Sequence, residues 1–245
     1  DMKLPYAQDQ LILELLKAKP DTVVVMTAGS PVEMGAWLSR AKALVWDWYA
    51  GMEGGKALAE VLFGKVNPSG RLPESFPFSH MDCPAHCIGE FPGGKTVAYR
   101  EGIFVGYRYY ETRQVPVAFP FGYGLSYTEF TYERLKARVK GNGNGAKVQV
   151  TLGVVNTGAM KGKEVVQLYV GRKNPGEDRP IRELKAFDKI SLKPGEIKNL
   201  EFMLDMEAFS YYDEKEKEFR VEKGAYIISV CRSAHEVWME TEVEL

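Results

Sequence analysis

The stretch KVQVTLGVVNTGAMKGKEVVQLYV, residues 147–170, decides half of the fold. Val148, Val150, Leu152 and Val154 recur at every second position, Asn156-Thr157-Gly158 breaks the run, and Val166, Leu168 and Val170 resume it. A period of two is that of a strand with one face buried, so the chain here forms short strands joined by turns. Downstream, Lys193-Pro194-Gly195-Glu196 places Pro and Gly at the central positions of a type II turn, and Leu200, Phe202 and Leu204 follow on one face. Tyr226, Ile228 and Val230 pair with a last strand near 237–243, and the charged run 213–218 upstream of them reads as a solvated hairpin turn. About seven short strands from residue 125 onward predict a sandwich of the immunoglobulin type, without its Cys-Trp-Cys pattern.

Upstream the period is different. Leu11, Ile12, Leu15 and Leu16 lie at helical spacing before Lys19-Pro20, and Thr22–Met26 is an apolar, β-branched run without alternation, the pattern of a strand covered on both faces. A short helix around Trp37, a second apolar run at Ala43–Trp48 and a helix from Lys56 to Phe63 follow. Helix, strand, helix, strand, helix builds a parallel layer, because parallel strands need crossover connections. Two strands are fewer than a doubly wound sheet contains, and the expectation is that further strands precede Asp1. Residues 64–124 are rich in Pro, Gly and aromatics and predict a packed strap. The chain is thus read as a partial doubly wound α/β layer (1–90), an aromatic strap (91–124) and an all-β sandwich (125–245).

Composition narrows the function. The 245 residues are 45% hydrophobic, and 32 basic against 33 acidic side chains leave a net charge of -1, which predicts no nucleic-acid or membrane partner. Residues 1–6 lack the features of a signal peptide, and no apolar run nears the roughly 20 residues needed to span a bilayer. Three cysteines are too few for a disulfide framework and favour a reducing, cytoplasmic setting.

His80, Cys83, His86 and Cys87 are of metal-ligating types, but their spacing fits no paired-ligand pattern, and no metal and no cofactor are expected. Gly51–Gly55 opens a helix without the Lys-Ser/Thr of a phosphate loop, so tight strand-to-helix packing accounts for its glycines. His235 falls in a distal turn of the sandwich, and no histidine is placed for a nucleophilic triad.

Longer motifs run through the chain: VVVMTAGSPVEM at 23–34, WYAGMEGGKALAEVLFGKVNPSGRLPESFP at 48–77, YREGIFVGYRYYE at 99–111, FPFGYGLSYTEF at 119–130, VNTGAMKGKEVVQLYV at 155–170 and RPIRELKAFDKISLKPGE at 179–196. Together they resemble the C-terminal portion of family 3 glycoside hydrolases, many of them β-glucosidases and β-xylosidases, with its appended fibronectin type III-like domain. The resemblance implies a retaining enzyme in which an Asp attacks the anomeric carbon and a Glu protonates the leaving oxygen, their carboxyl groups roughly 5–5.5 Å apart. It also implies that the Asp belongs to a (β/α)8 barrel, and the Glu to a loop just before Leu4-Pro5. Both catalytic residues are therefore expected outside this chain, whose partners would be the barrel, the remaining α/β layer and, through the complete enzyme, a β-glucoside or oligosaccharide. Glu101 is the low-ranked candidate for a substrate-binding carboxylate, with an ion pair to Arg100 or Arg108 as the structural alternative. The alternative function is a stand-alone carbohydrate-binding or adhesive module without hydrolytic activity, which solvent-facing aromatics would favour and burial of Tyr107, Tyr109 and Tyr110 would oppose.

Overall fold

The computed structural model describes residues 1–89, 91–176 and 179–245, which gather into two compact units. Unit one comprises residues 1–66, 75–106 and 115–119. Helix α1, Gln8–Ala18, leads into β1, Val23–Met26, and a 3-10 turn at Leu38–Arg40 leads into β2, Ala43–Trp46. The two strands pair in parallel with Val23 opposite Ala43 and Met26 opposite Trp46, as the alternation of helix and strand predicts. Helix α2 spans Gly54–Leu62, opening two residues earlier than the glycine-rich sequence suggests.

Burial within β1 departs from the two-sided cover expected of an unbroken apolar run. Val24 and Met26 are buried, Val25 is half-buried and Val23 is exposed. One face of β1 is packed and the other only partly covered, and among the described residues no third strand joins the pair. The stripe on α1 is likewise only partly covered, with Leu16 buried and Leu11 and Leu15 in water. The helix is tied down at Asp9, whose carboxylate accepts a 2.7 Å hydrogen bond from the indole of the fully buried Trp37.

After α2 the unit adds β3 (Phe76–Pro77), a short helix α3 (Pro84–Cys87) and, after the 91–106 stretch, β4 (Val117–Phe119), which pairs antiparallel with β3. Helix α4, Tyr107–Thr112, belongs to the second unit, with residues 67–74, 107–114 and 120–245.

Unit two is a sandwich of seven main strands. One sheet has the order β5 (Phe130–Lys140), β6 (Lys147–Asn156) and β9 (Ile197–Asp205). The other runs β13 (Val237–Glu244), β12 (Ala225–Cys231), β7 (Gly162–Arg172) and β8 (Glu183–Leu192). All pairs are antiparallel. The alternating residues supply the core: Val148, Val150, Leu152 and Val154 from one sheet meet Val166, Leu168, Ile190, Ile228 and Val230 from the other. Each buried aliphatic side chain contributes about 1.5–3 kcal/mol of transfer free energy. A two-stranded ribbon, β10 (Tyr211–Asp213) with β11 (Glu218–Arg220), carries the charged turn between its strands. The type II turn at 193–196 is closed by a 3.0 Å bond from the Glu196 N–H to the Lys193 carbonyl, with Gly195 at a φ of 74°.

Candidate functional site

In a parallel α/β layer, ligands bind beyond the carboxyl ends of the strands, where backbone groups lose their ladder partners. In unit one that edge begins at Met26 and Trp46. The Asp47 N–H donates to the Met26 carbonyl at 2.8 Å and extends the pairing by one bond, after which Trp48 takes a left-handed φ of 51°, costly for a bulky side chain. This kink accompanies an edge-on aromatic cluster. The Trp46 ring centre lies 4.7 Å from that of Phe76 and 6.0 Å from that of Trp48, and Phe119 meets Phe76 at 6.3 Å. The Trp46 indole N–H is buried without a partner. Beside it Tyr49 is exposed, and its ring packs so closely on Gly29 that a Cβ there would stand 2.7 Å from it. The edge therefore offers aromatic surface at Tyr49, with one unspent donor buried behind it.

Glu101 lies in a tight turn, where its carbonyl accepts from Phe104 N–H at 3.0 Å and Gly102 N–H donates to the Tyr99 carbonyl. Its Oε2 is buried without a hydrogen-bond partner. Arg108, one of its two expected ion-pair partners, instead donates through Nε to Glu183 at 2.6 Å. A carboxylate with an unsatisfied buried oxygen is costly unless something outside the chain completes it.

The His80–Cys87 segment is organised around a residue that sequence reading passed over. Glu33 Oε1 accepts from the His80 N–H at 2.9 Å and from the Ser79 hydroxyl at 3.1 Å, and stands 2.7 Å from His80 Nδ1. The His80 backbone bond first, and its imidazole next, hold the Glu33 carboxyl below the usual carboxylate range. Ser79 and Asp82 cap the turn reciprocally. The His80 and His86 rings meet edge to face at 5.1 Å, and His86 also meets Phe91 at 4.8 Å. Cys83 and Cys87 bracket α3, with the Cys87 N–H on the Cys83 carbonyl. Among the described residues no group of three His, Cys, Asp or Glu side chains is arranged to hold a metal ion.

At the opening of α2, a Cβ on Gly54 would come within 2.8 Å of the Ala50 Cβ, so the glycine serves close packing, as its sequence context suggests. Unit two holds a buried polar network. The Arg71 guanidinium reaches Glu164 Oε2 at 2.7 Å, and the Tyr132 hydroxyl donates to Glu164 Oε1 at 2.7 Å. Burial and the neighbouring carboxylate push the Tyr132 phenol far up, so it stays a donor. Tyr110 is buried, while Tyr107 stacks on Phe121 at 4.9 Å and accepts the Leu184 N–H through its hydroxyl.

Residues 1–127 match the model of the glycosyl hydrolase family 3 C-terminal domain, over half of the 245. The chain belongs to glycosyl hydrolase family 3. Residues 164–234 match a fibronectin type III-like domain, which lies within the sandwich. The family 3 chain is 41% identical to a β-glucosidase of Bacteroides ovatus over 96% of its own length and 32% of that protein's. It is 42% identical to the thermostable β-glucosidase B of Acetivibrio thermocellus, covering 100% of itself and again 32% of the relative. The crystal structure of the Kluyveromyces marxianus β-glucosidase in complex with glucose superposes with a TM-score of 0.93 at 42% identity, over 100% of this chain and 29% of that one. The chain thus spans about a third of the length of the relatives it matches. The expected pairing of a partial α/β layer with a fibronectin III-like sandwich is the architecture these matches share.

Proposed function

We propose that this chain provides the supporting C-terminal layers of a retaining β-glucosidase that releases terminal glucose from β-glucosides, and that both reacting carboxylates lie outside it. The observation that carries this reading is coverage: at least 96% of the chain aligns with β-glucosidases, and it accounts for only 29–32% of them. Its own chemistry agrees. Glu33, Glu164 and Glu183 are each committed to partners within the chain, and the aromatic edge at Trp46 and Trp48 has surface to offer at Tyr49 and no acid–base pair. Glu101, with its unsatisfied oxygen, is a carboxylate with a part left to play, as a polar contact to substrate or to the barrel.

Of the three tyrosines that separate the two readings, Tyr110 is buried and Tyr107 and Tyr109 are half-buried, which supports a packed role over a free-standing binding module. Two measurements test the reading. The chain alone should not turn over nitrophenyl β-D-glucoside, and turnover abolished by Glu101→Gln would place a catalytic carboxylate inside it. Replacing the matching segment of the Kluyveromyces marxianus enzyme with this chain should leave β-glucosidase activity, and a folded but inactive chimera would count against a β-glucosidase role.

A further inference from the structure

The β10–β11 ribbon has two unlike faces. Side chains alternate along a strand, so Tyr211 with Arg220 and Asp213 with Glu218 stand on one face, and Tyr212 with Phe219 on the other. The first face is fastened to the sandwich. The Arg179 guanidinium lies 3.5 Å from the centre of the Tyr211 ring, the Tyr211 hydroxyl donates to Glu222 at 3.2 Å, and Glu222 takes Arg172 at 2.7 Å and Arg179 at 3.0 Å. Arg220 adds a 3.5 Å contact to Asp213. The second face carries two aromatic rings, 5.3 Å apart at 68°, of which Tyr212 is 50% and Phe219 72% exposed.

A rigid ribbon that holds two rings in water presents a small apolar surface of fixed shape. Its area, on the order of 200 Å², is about a quarter of what each partner gives to a stable protein–protein interface. It is too small for a second copy of the chain and matches the apolar face of one pyranose ring. The turn beside it alternates Glu214, Lys215, Glu216, Lys217 and Glu218, a mixed rim whose charges largely cancel, so that it attracts neither polyanions nor polycations strongly, and which supplies donors and acceptors for hydroxyl groups.

We propose that Phe219, with Tyr212 edge-on beside it, forms a stacking site for a neutral saccharide, a chain of β-linked glucose units. The C–H face of the sugar lies on the electron-rich Phe219 ring, and the Tyr212 hydroxyl and the charged rim meet its equatorial hydroxyls. The site is an inference from the ribbon; the choice of glucose rests on the β-glucosidase reading. Titration of the whole chain with cellohexaose and laminarihexaose, followed by calorimetry, tests it. Saturable binding with a Kd of about 1 mM is expected, weakened ~10-fold or more by Phe219→Ala and retained by Phe219→Trp. Phe187→Ala, at an exposed aromatic on β8, should leave binding unchanged. No binding of either glucan, or binding that Phe219→Ala leaves intact, overturns the site. So does a dimer in sedimentation that Phe219→Ala dissolves. Binding of mannohexaose alone overturns the glucose assignment, and the chimera's activity is read separately from all of these.

Discussion

At the scale of single residues the most consequential side chain is Glu164. Its two oxygens are shared between Arg71 and Tyr132 in a setting with almost no solvent, so the pair is sound only while complete. Arg71→Met should cost about 3–5 kcal/mol in chemical denaturation, whereas Arg71→Met with Glu164→Leu should recover much of it, since the penalty lies in leaving one charge alone. Glu33 poses a different test, set by pH. Its folded carboxyl titrates below the ordinary 4.5, so its stabilising contribution is complete above that value and fades as pH falls through the folded pKa. The His80 amide, corrected for intrinsic exchange, should keep its protection down to about pH 5 and lose part of it in more acid solution, and Glu33→Gln should remove that dependence. Neither site was legible in the sequence. Arg71 and Glu164 are 93 positions apart and Glu33 and His80 are 47 apart, and an isolated glutamate gives no sign of which distant donor it will meet. Glu101 was singled out for its motif; that its Oε2 would be buried without a hydrogen-bond partner could not be read there.

At the scale of elements, periodicity carried more. Five of the seven main sandwich strands (β6, β7, β9, β12 and β13), the parallel pairing of β1 with β2 and the 193–196 turn follow from apolar spacing and turn chemistry, which are local, whereas β5 and β8 entered only through the strand count. What periodicity could not supply is cover. Whether Val23 or Leu11 meets a neighbour depends on which elements pack there, and an apolar run reads the same with one face covered as with two. The aromatic cluster at the end of β2 was hidden for a related reason: Trp46 and Trp48 are adjacent in sequence terms, but Phe76 and Phe119 join them through β3 and β4, strands of two and three residues that carry almost no pattern. Close approach is also an element-level property. A Cβ on Gly171 in β7 would stand 2.0 Å from the Ile181 carbonyl, so Gly171→Ala must push apart the start of the β7–β8 pairing. Thermal or urea unfolding should show a loss of about 1–3 kcal/mol. Gly195→Ala, which faces open space but a φ of 74°, should lose only about 1–2 kcal/mol.

At the scale of the whole molecule, unit one is under-covered. Its parallel pair has no third strand among the described residues, and Tyr6, Tyr49, Met52 and Phe63 stand largely in water, the first of them 96% exposed. An open sheet edge beside loose apolar surface invites association. The isolated chain should therefore sediment as a concentration-dependent mixture, and clean monomeric behaviour across a wide concentration range would show that unit one is content as it stands. Unit two carries another consequence, in the way the chain is threaded through it. Residues 67–74 and 107–114 are built into the sandwich although they interrupt unit one in sequence, so the polypeptide passes from one unit to the other five times. A piece cut at residue 125 would look like a tidy cassette and would leave behind Arg71, the counter-charge of Glu164, and Asn67, which accepts from Ser126 and Tyr127. Exchange of the sandwich alone would deliver a buried anion with no mate, so a graft of this sandwich onto another scaffold should carry residues 67–74 and 107–114 with it to stay folded.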